Sequence, residues 1–165
     1  MVKRKGVDWY GNNVIKQVRA KKLIALHRCG AHLERQIKIA MTDTTTCDTH
    51  GFLRQKSTKK SAAKYHYPSV PGYPPAIDTG RLRASITWAT SDGKFSKATG
   101  KAKPSDGVKP PSGTIGTQVC IVGSNVEYAG HLELGTSKMQ PRPYLRVTLE
   151  NERNQLLKFF KGLIK

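Results

Sequence analysis

Apolar residues recur at helical spacing near the start of the chain: Val14, Val18, Ala25, Cys29 and Leu33 share one side, joined by Ile15, Leu26 and Ile37. The pattern predicts one long helix, capped by Asn12 or Asn13 and running to about Met41, with Gly30 as a weak point in its middle. From Thr42 to Pro75 the periodicity vanishes. Threonines, then Arg54, Lys56, Lys59, Lys60 and Lys64, then Tyr65, Tyr67 and Tyr73 among prolines, read as an extended arm. Arg83–Thr90 alternates Ile86 and Trp88 against Ser85 and Thr87, and Thr117–Val122 is a second β-branched run, so the two predict a hairpin. Between them, residues 91–116 are rich in Gly, Lys, Ser and Pro and predict a long, flexible tip. Asn125–Leu134 reads as a short helix, with Gly135 where a C-cap belongs. Pro143 suits the first turn of a last helix, along which Leu145, Leu149, Leu156, Phe160 and Leu163 recur.

These elements amount to one α+β domain over residues 1–165, with extended or flexible segments at 42–75 and 91–116. It has a long N-terminal helix, a small antiparallel sheet with a long hairpin loop, a short helix, and a C-terminal helix packed on the sheet.

Charge narrows the partners. Lys and Arg number 29 against 11 Asp and Glu, a formal net charge of +18, and the excess is spread along the whole chain. A domain this basic suits a polyanion or an acidic protein surface. Lys21, Arg28 and Arg35 line up with Gln17 opposite the apolar stripe of the first helix. Such a face either lies along phosphates or an acidic neighbour, or is simply solvated. Lys94, Lys97, Lys101 and Lys103 put a second cationic group on the loop, which either faces nucleic acid or stands in solvent. The basic, tyrosine-bearing arm admits contact with nucleic acid or a wrap around a neighbouring subunit.

Three cysteines, Cys29, Cys47 and Cys120, are odd in number and lack Cys-x-x-Cys spacing, which predicts free thiols in a reducing compartment. The start MVKRKGVDWYG carries positive charge with no apolar run behind it, and no stretch is apolar enough to span a bilayer, so a soluble protein made in the cytoplasm is expected, with no membrane partner.

Catalytic readings fail on chemistry. Asp78-Thr79-Gly80 matches the aspartic-protease tripeptide, but Pro74 and Pro75 precede it, Arg81 follows it, and no second carboxylate stands ready to share a proton. The turn reading has Asp78 or Thr79 capping, with Arg81 and Arg83 reaching from the first strand to a carboxylate or phosphate. His27, Cys29 and His32, with Cys47 and His50, are zinc-ligand types, yet His27 and Cys29 point apart on a helix and Cys29 lies on the apolar stripe. No metal, cofactor or enzymatic activity is expected.

Two segments carry a resemblance: Pro71–Ile86 (PGYPPAIDTGRLRASI) and Val122–Leu149 (VGSNVEYAGHLELGTSKMQPRPYLRVTL). In fixed order they hold Pro-Gly-x-Pro-Pro, Asp78-Thr79-Gly80-Arg81-Leu82-Arg83, Glu127-Tyr128-Ala129, Glu133-Leu134-Gly135-Thr136 and Arg142-Pro143-Tyr144-Leu145. The order resembles the neck and tail-completion (minor tail component) family of long-tailed bacteriophages, over about half of the chain. The resemblance implies a structural virion protein, assembled in the host cytoplasm into a homo-oligomeric ring, expected to be a hexamer. That ring joins the tail to the head-closure complex around packaged double-stranded DNA, touching phosphates without sequence specificity. The implied partners are further copies of itself and the head-closure and tail terminator or tube proteins. Arg81, Arg83, Glu127, Tyr128, Glu133, Arg142 and Tyr144 are its expected subunit-interface residues, although Glu127 and Arg142 equally suit an ion pair within one subunit. A tail-tube terminator and a basic, non-specific nucleic-acid-binding module are the alternatives.

Overall fold

The computed structural model describes residues 10–41, 71–77, 79–109 and 118–161. The arm expected at 42–75 therefore lies largely outside the described residues, as do Asp78, Cys47, His50 and Leu163.

Helix α1, Gly11–Ala40, starts ahead of the asparagines expected to cap it: the Tyr10 carbonyl accepts the N–H groups of Asn13 (3.0 Å) and Val14 (3.2 Å), and no side chain caps the end. Its buried positions, Ala25, Cys29, Leu33 and Ile37, hold the predicted spacing. Val14 and Val18 extend the same stripe, yet both are exposed.

A short helix α2, Arg81–Ser85, occupies the first half of the run read as a strand. Gly80, at φ 81°, turns the chain into it, in the left-handed region that favours glycine, and the Thr79 hydroxyl accepts the Arg81 N–H (3.3 Å). Leu82 and Ile86 are four apart and both buried, so the helical period prevails over the two-residue alternation there. Strand β1 follows at Thr87–Thr90 and pairs antiparallel with β2, Cys120–Gly123, with Thr87 opposite Gly123 and Thr90 opposite Cys120.

Of the tip expected at 91–116, residues 91–109 are described and fold back along β1, while 110–116 lie outside the described residues. Phe95 bridges Ala89 from the other side of β1, the Ser96 N–H reaches the Trp88 carbonyl (2.8 Å), and the Ser96 hydroxyl accepts the Trp88 N–H (2.9 Å). A 3₁₀ turn at Pro104–Asp106 then brings the Val108 N–H to the buried Thr87 hydroxyl (2.7 Å). Through the isolated Phe95–Ala89 bridge the segment lies along the other edge of β1, and the sheet itself has two strands. Polar contacts place the segment there, and apolar periodicity carries no signal of them.

The short helix α3, Ala129–Leu134, begins four residues later than expected, since Asn125 is spent on the loop: its N–H goes to the Asp106 carbonyl (2.7 Å) and its side-chain amide to the Gly107 carbonyl (2.7 Å). Gly135 ends α3 as expected, at φ 76°, with its N–H on the His131 carbonyl (2.9 Å). The last helix α4, Leu145–Lys161, starts two residues after Pro143.

The chief partner of α4 is α1, rather than the sheet expected to receive it. His32 meets Glu152, while Cys29, nearly one turn earlier, faces the Leu156 carbonyl, so the two helices run antiparallel. Leu149, expected inside, is exposed. The sheet lies against α1 at Gly30, where a β-carbon would come within 2.9 Å of both Cys120 Sγ and Trp88 Cγ, so glycine there permits close approach. Leu33, Ile37, Met41, Leu82, Ile86, Val126, Ala129 and Tyr144 form the core, with Leu156 and Val122 packed against it. No described helix is long and apolar enough to cross a membrane.

Candidate functional site

Five carboxylates are absorbed by the fold. Asp106, buried, receives Arg81 through two parallel bonds, Nε to Oδ2 and Nη2 to Oδ1, each 2.9 Å, and a third from the Lys103 N–H (2.9 Å). The Arg81 guanidinium, with the Lys103 N–H, holds the Asp106 carboxyl down at about 2, and the same bond raises Arg81 further above its ordinary value. Asp92 accepts from the Thr90 hydroxyl and meets His27 Nε2 at 3.0 Å. Burial works against its charge, but Thr90, His27 and the Lys94 N–H outweigh it and keep the carboxyl below its ordinary value. Glu152 pairs with His32 (2.7 Å) and Glu34 with Lys38. Glu133 accepts the N–H groups of Tyr144 (2.8 Å), Leu145 (2.9 Å) and Arg146 (2.9 Å) and so caps the N-terminus of α4.

Three expected interface residues have partners within the chain: Arg81 and Glu133, both half-buried, and Tyr144, which is buried. Arg81 clamps the 91–109 segment to α2 instead of reaching out of a strand. Glu133 is a helix cap. Tyr144 is 1% exposed in the core, with its hydroxyl toward the Ala129 carbonyl (3.4 Å), and burial first, then Glu133, raises its ionisation far above the usual range. Arg83, Glu127 and Tyr128 are exposed, Arg83 giving its Nε to the Lys38 carbonyl (3.1 Å), and Arg142 is half-buried with its N–H on the Leu132 carbonyl (2.7 Å).

The cationic positions are all exposed: Lys21, Arg28 and Arg35 on α1, and Lys94, Lys97, Lys101 and Lys103 on the folded-back segment. Spacing of seven residues sets the α1 trio about 10 Å apart along one line of the helix. The Asp92–His27 bond brings the turn that carries Lys94 onto α1, one residue from Arg28, so the two groups adjoin there. None of the seven forms a salt bridge among the described residues.

The histidines and cysteines do not converge: no cluster of three metal-ligating side chains exists among the described residues, and His27 and His32 each tie α1 to a different element. Cys29 and Cys120 are free thiols, both raised by burial, Cys120 to about 11. Asp106 carries little signal of its role in the sequence, where only the turn pattern Pro104-Ser105-Asp106-Gly107 marks it.

An open groove of about 490 Å³ lies at the C-terminal end of α1, with Met41, Ile77, Leu82, Tyr128 and Leu132 among its walls. The chain matches no family model, and neither a curated protein nor a solved structure matches it.

Proposed function

We propose that this chain is a structural component of the neck of a long-tailed bacteriophage, forming a ring that completes the tail and joins it to the head-closure complex around the DNA. The observation that carries the reading is the division of charge. Asp106, Asp92, Glu133, Glu152 and Glu34 each have partners within the fold, whereas Lys21, Arg28, Arg35, Lys94, Lys97, Lys101 and Lys103 stand exposed with no salt bridge among the described residues. A surface of that kind gains from a polyphosphate by releasing counterions, whatever its base sequence. The ordered motifs that resemble the neck and tail-completion family supply the setting, with a role in assembly and none in catalysis.

The test is the virion itself. Particles made without this chain should accumulate as separate filled heads and tails, and a label on the chain should sit at the head–tail junction in low-resolution images. Joined, infectious particles lacking the polypeptide would end the proposal. A free monomer that binds duplex DNA tightly at physiological salt, with no place in the particle, would favour a nucleic-acid-binding module instead.

A further inference from the structure

A cleft of about 610 Å³ lies between α1 and α2, and its charged walls are Glu34, Arg35 and Lys38 from α1 and Arg83 from α2. Among the described residues Glu34 is the one acid in those walls, and Lys38, one turn further on, engages it. Arg35 and Arg83 are exposed, and neither forms a salt bridge among the described residues. Two guanidinium groups from different elements thus share one cleft with no acid there to balance them. Like charges brought together repel, and an anion between them turns that repulsion into attraction.

Arg83 is held in place. Its neighbours on α2 are fixed, Arg81 by Asp106 and Leu82 by burial, and its own Nε donates to the Lys38 carbonyl (3.1 Å). That bond uses Nε and leaves the N–H groups of Nη1 and Nη2, the fork that fits the oxygens of a phosphate. A guanidinium oriented before its ligand arrives loses less side-chain freedom on binding. A tie between α1 and α2 accounts for the Nε bond but not for the second guanidinium in the same cleft.

The cleft also continues a line of charge. Arg35 is the last of the cations at seven-residue spacing on α1, about 10 Å beyond Arg28, and the next step of the series is the uncharged Thr42. Arg83, anchored at the Lys38 carbonyl, carries the line past Arg35. A backbone whose charges repeat along its length matches such a line better than a single carboxylate does.

We infer that Arg35 and Arg83 together hold one backbone phosphate of duplex DNA in the cleft between α1 and α2, with Arg83 as the pre-oriented prong. The site moves Arg83 from the expected subunit interface to the DNA surface. It deepens the reading of a ring around DNA and rests on it for the source of the phosphate, while phosphate binding itself is a property of the single chain.

Two measurements on the full chain test the site. In the first, inorganic phosphate replaces chloride at constant ionic strength while the Nε–H NMR resonances of both arginines are followed. Phosphate should move both along one saturation curve. Arg35→Gln should weaken the response of Arg83 at least about tenfold, the loss of a charge-assisted bond, with Tm unchanged. In the second, fluorescence anisotropy follows duplex DNA binding against salt. R35Q/R83Q should lower the log–log slope by about 0.9, the value for one phosphate. Should Arg83→Gln loosen α2, Arg35→Gln in the phosphate titration decides alone. Chloride acting as phosphate does, separate curves for the two arginines, or a slope loss of zero or about 1.8 overturns the inference. A glutamate-rich peptide that displaces phosphate from the cleft, while the double variant keeps the wild-type DNA slope, assigns the cleft to an acidic protein and overturns it too. A chain that passes both measurements but never enters virions keeps the site and sinks the neck reading. A virion protein whose double variant keeps the wild-type slope does the reverse.

Discussion

Arg81 and Asp106 face each other in a two-pronged ion pair across 25 residues, and that pair fixes where the lysine-bearing segment lies. With Asp106 held, the N–H of Lys103 and the amide of Asn125 find their partners, and the segment closes over the open side of β1. Arg81→Ala should release it, making cleavage within residues 91–109 at least about tenfold faster in limited proteolysis. Arg81→Lys should rescue little, because a point charge cannot reproduce the parallel bonds.

Acid should undo the same pairing. The folded carboxyl of Asp106 titrates at about 2, below its ordinary 3.8, so its contribution is complete above about pH 4 and disappears as pH falls through 2. Asp92 is shifted in the same direction. Melting temperature should therefore drop between pH 4 and 2, and Asp106→Asn should be less stable at pH 7 while losing less on acidification.

Glu133→Ala should cost about 1 kcal/mol, with a range of roughly 0.5–2, because three N–H groups at the start of α4 lose their shared acceptor. Urea unfolding with an unchanged m-value is the check. Substitution at an interface would leave monomer stability alone, so this measurement separates the two roles.

Gly30→Ala should destabilise by about 1–3 kcal/mol, although alanine favours a helix by up to about 1 kcal/mol over glycine. The new methyl meets Cys120 Sγ and the Trp88 ring at distances that force the sheet off α1. A rise in stability would show that the sheet gives way freely.

DNA binding should be independent of sequence and steep in salt. Replacing Lys21, Arg28 and Arg35 by glutamine should lower the log–log salt slope by about 0.9 for every phosphate that the variant no longer neutralises. Fluorescence anisotropy on two unrelated duplexes measures both properties, and an unchanged slope would show that the α1 face does not touch DNA.

What was legible in the sequence followed periodicity. Ala25, Cys29, Leu33 and Ile37 form a helical stripe and are buried as such, Gly135 ends its helix, and the two β-branched runs pair. Single polar side chains acting across long separations were not legible. Asp106 looks like any turn aspartate until Arg81 is seen against it, and Glu133 reads as surface charge until the chain returns to offer three N–H groups. The exposure of Val14 and Val18 was hidden for a different reason: a helical stripe announces that it will be covered without saying which molecule covers it.

The antiparallel seating of α4 on α1 bears on synthesis at the ribosome. His32 and Cys29 wait for Glu152 and Leu156, partners 120 and 127 positions downstream, and Leu33 and Ile37 share their cluster with Tyr144. A nascent chain holds α1 with its apolar side bare until the residues from Tyr144 to Leu156 have emerged, a separation at which folding is slow and chaperone capture is favoured. Truncation before Tyr144 should therefore yield aggregates rather than a smaller folded unit.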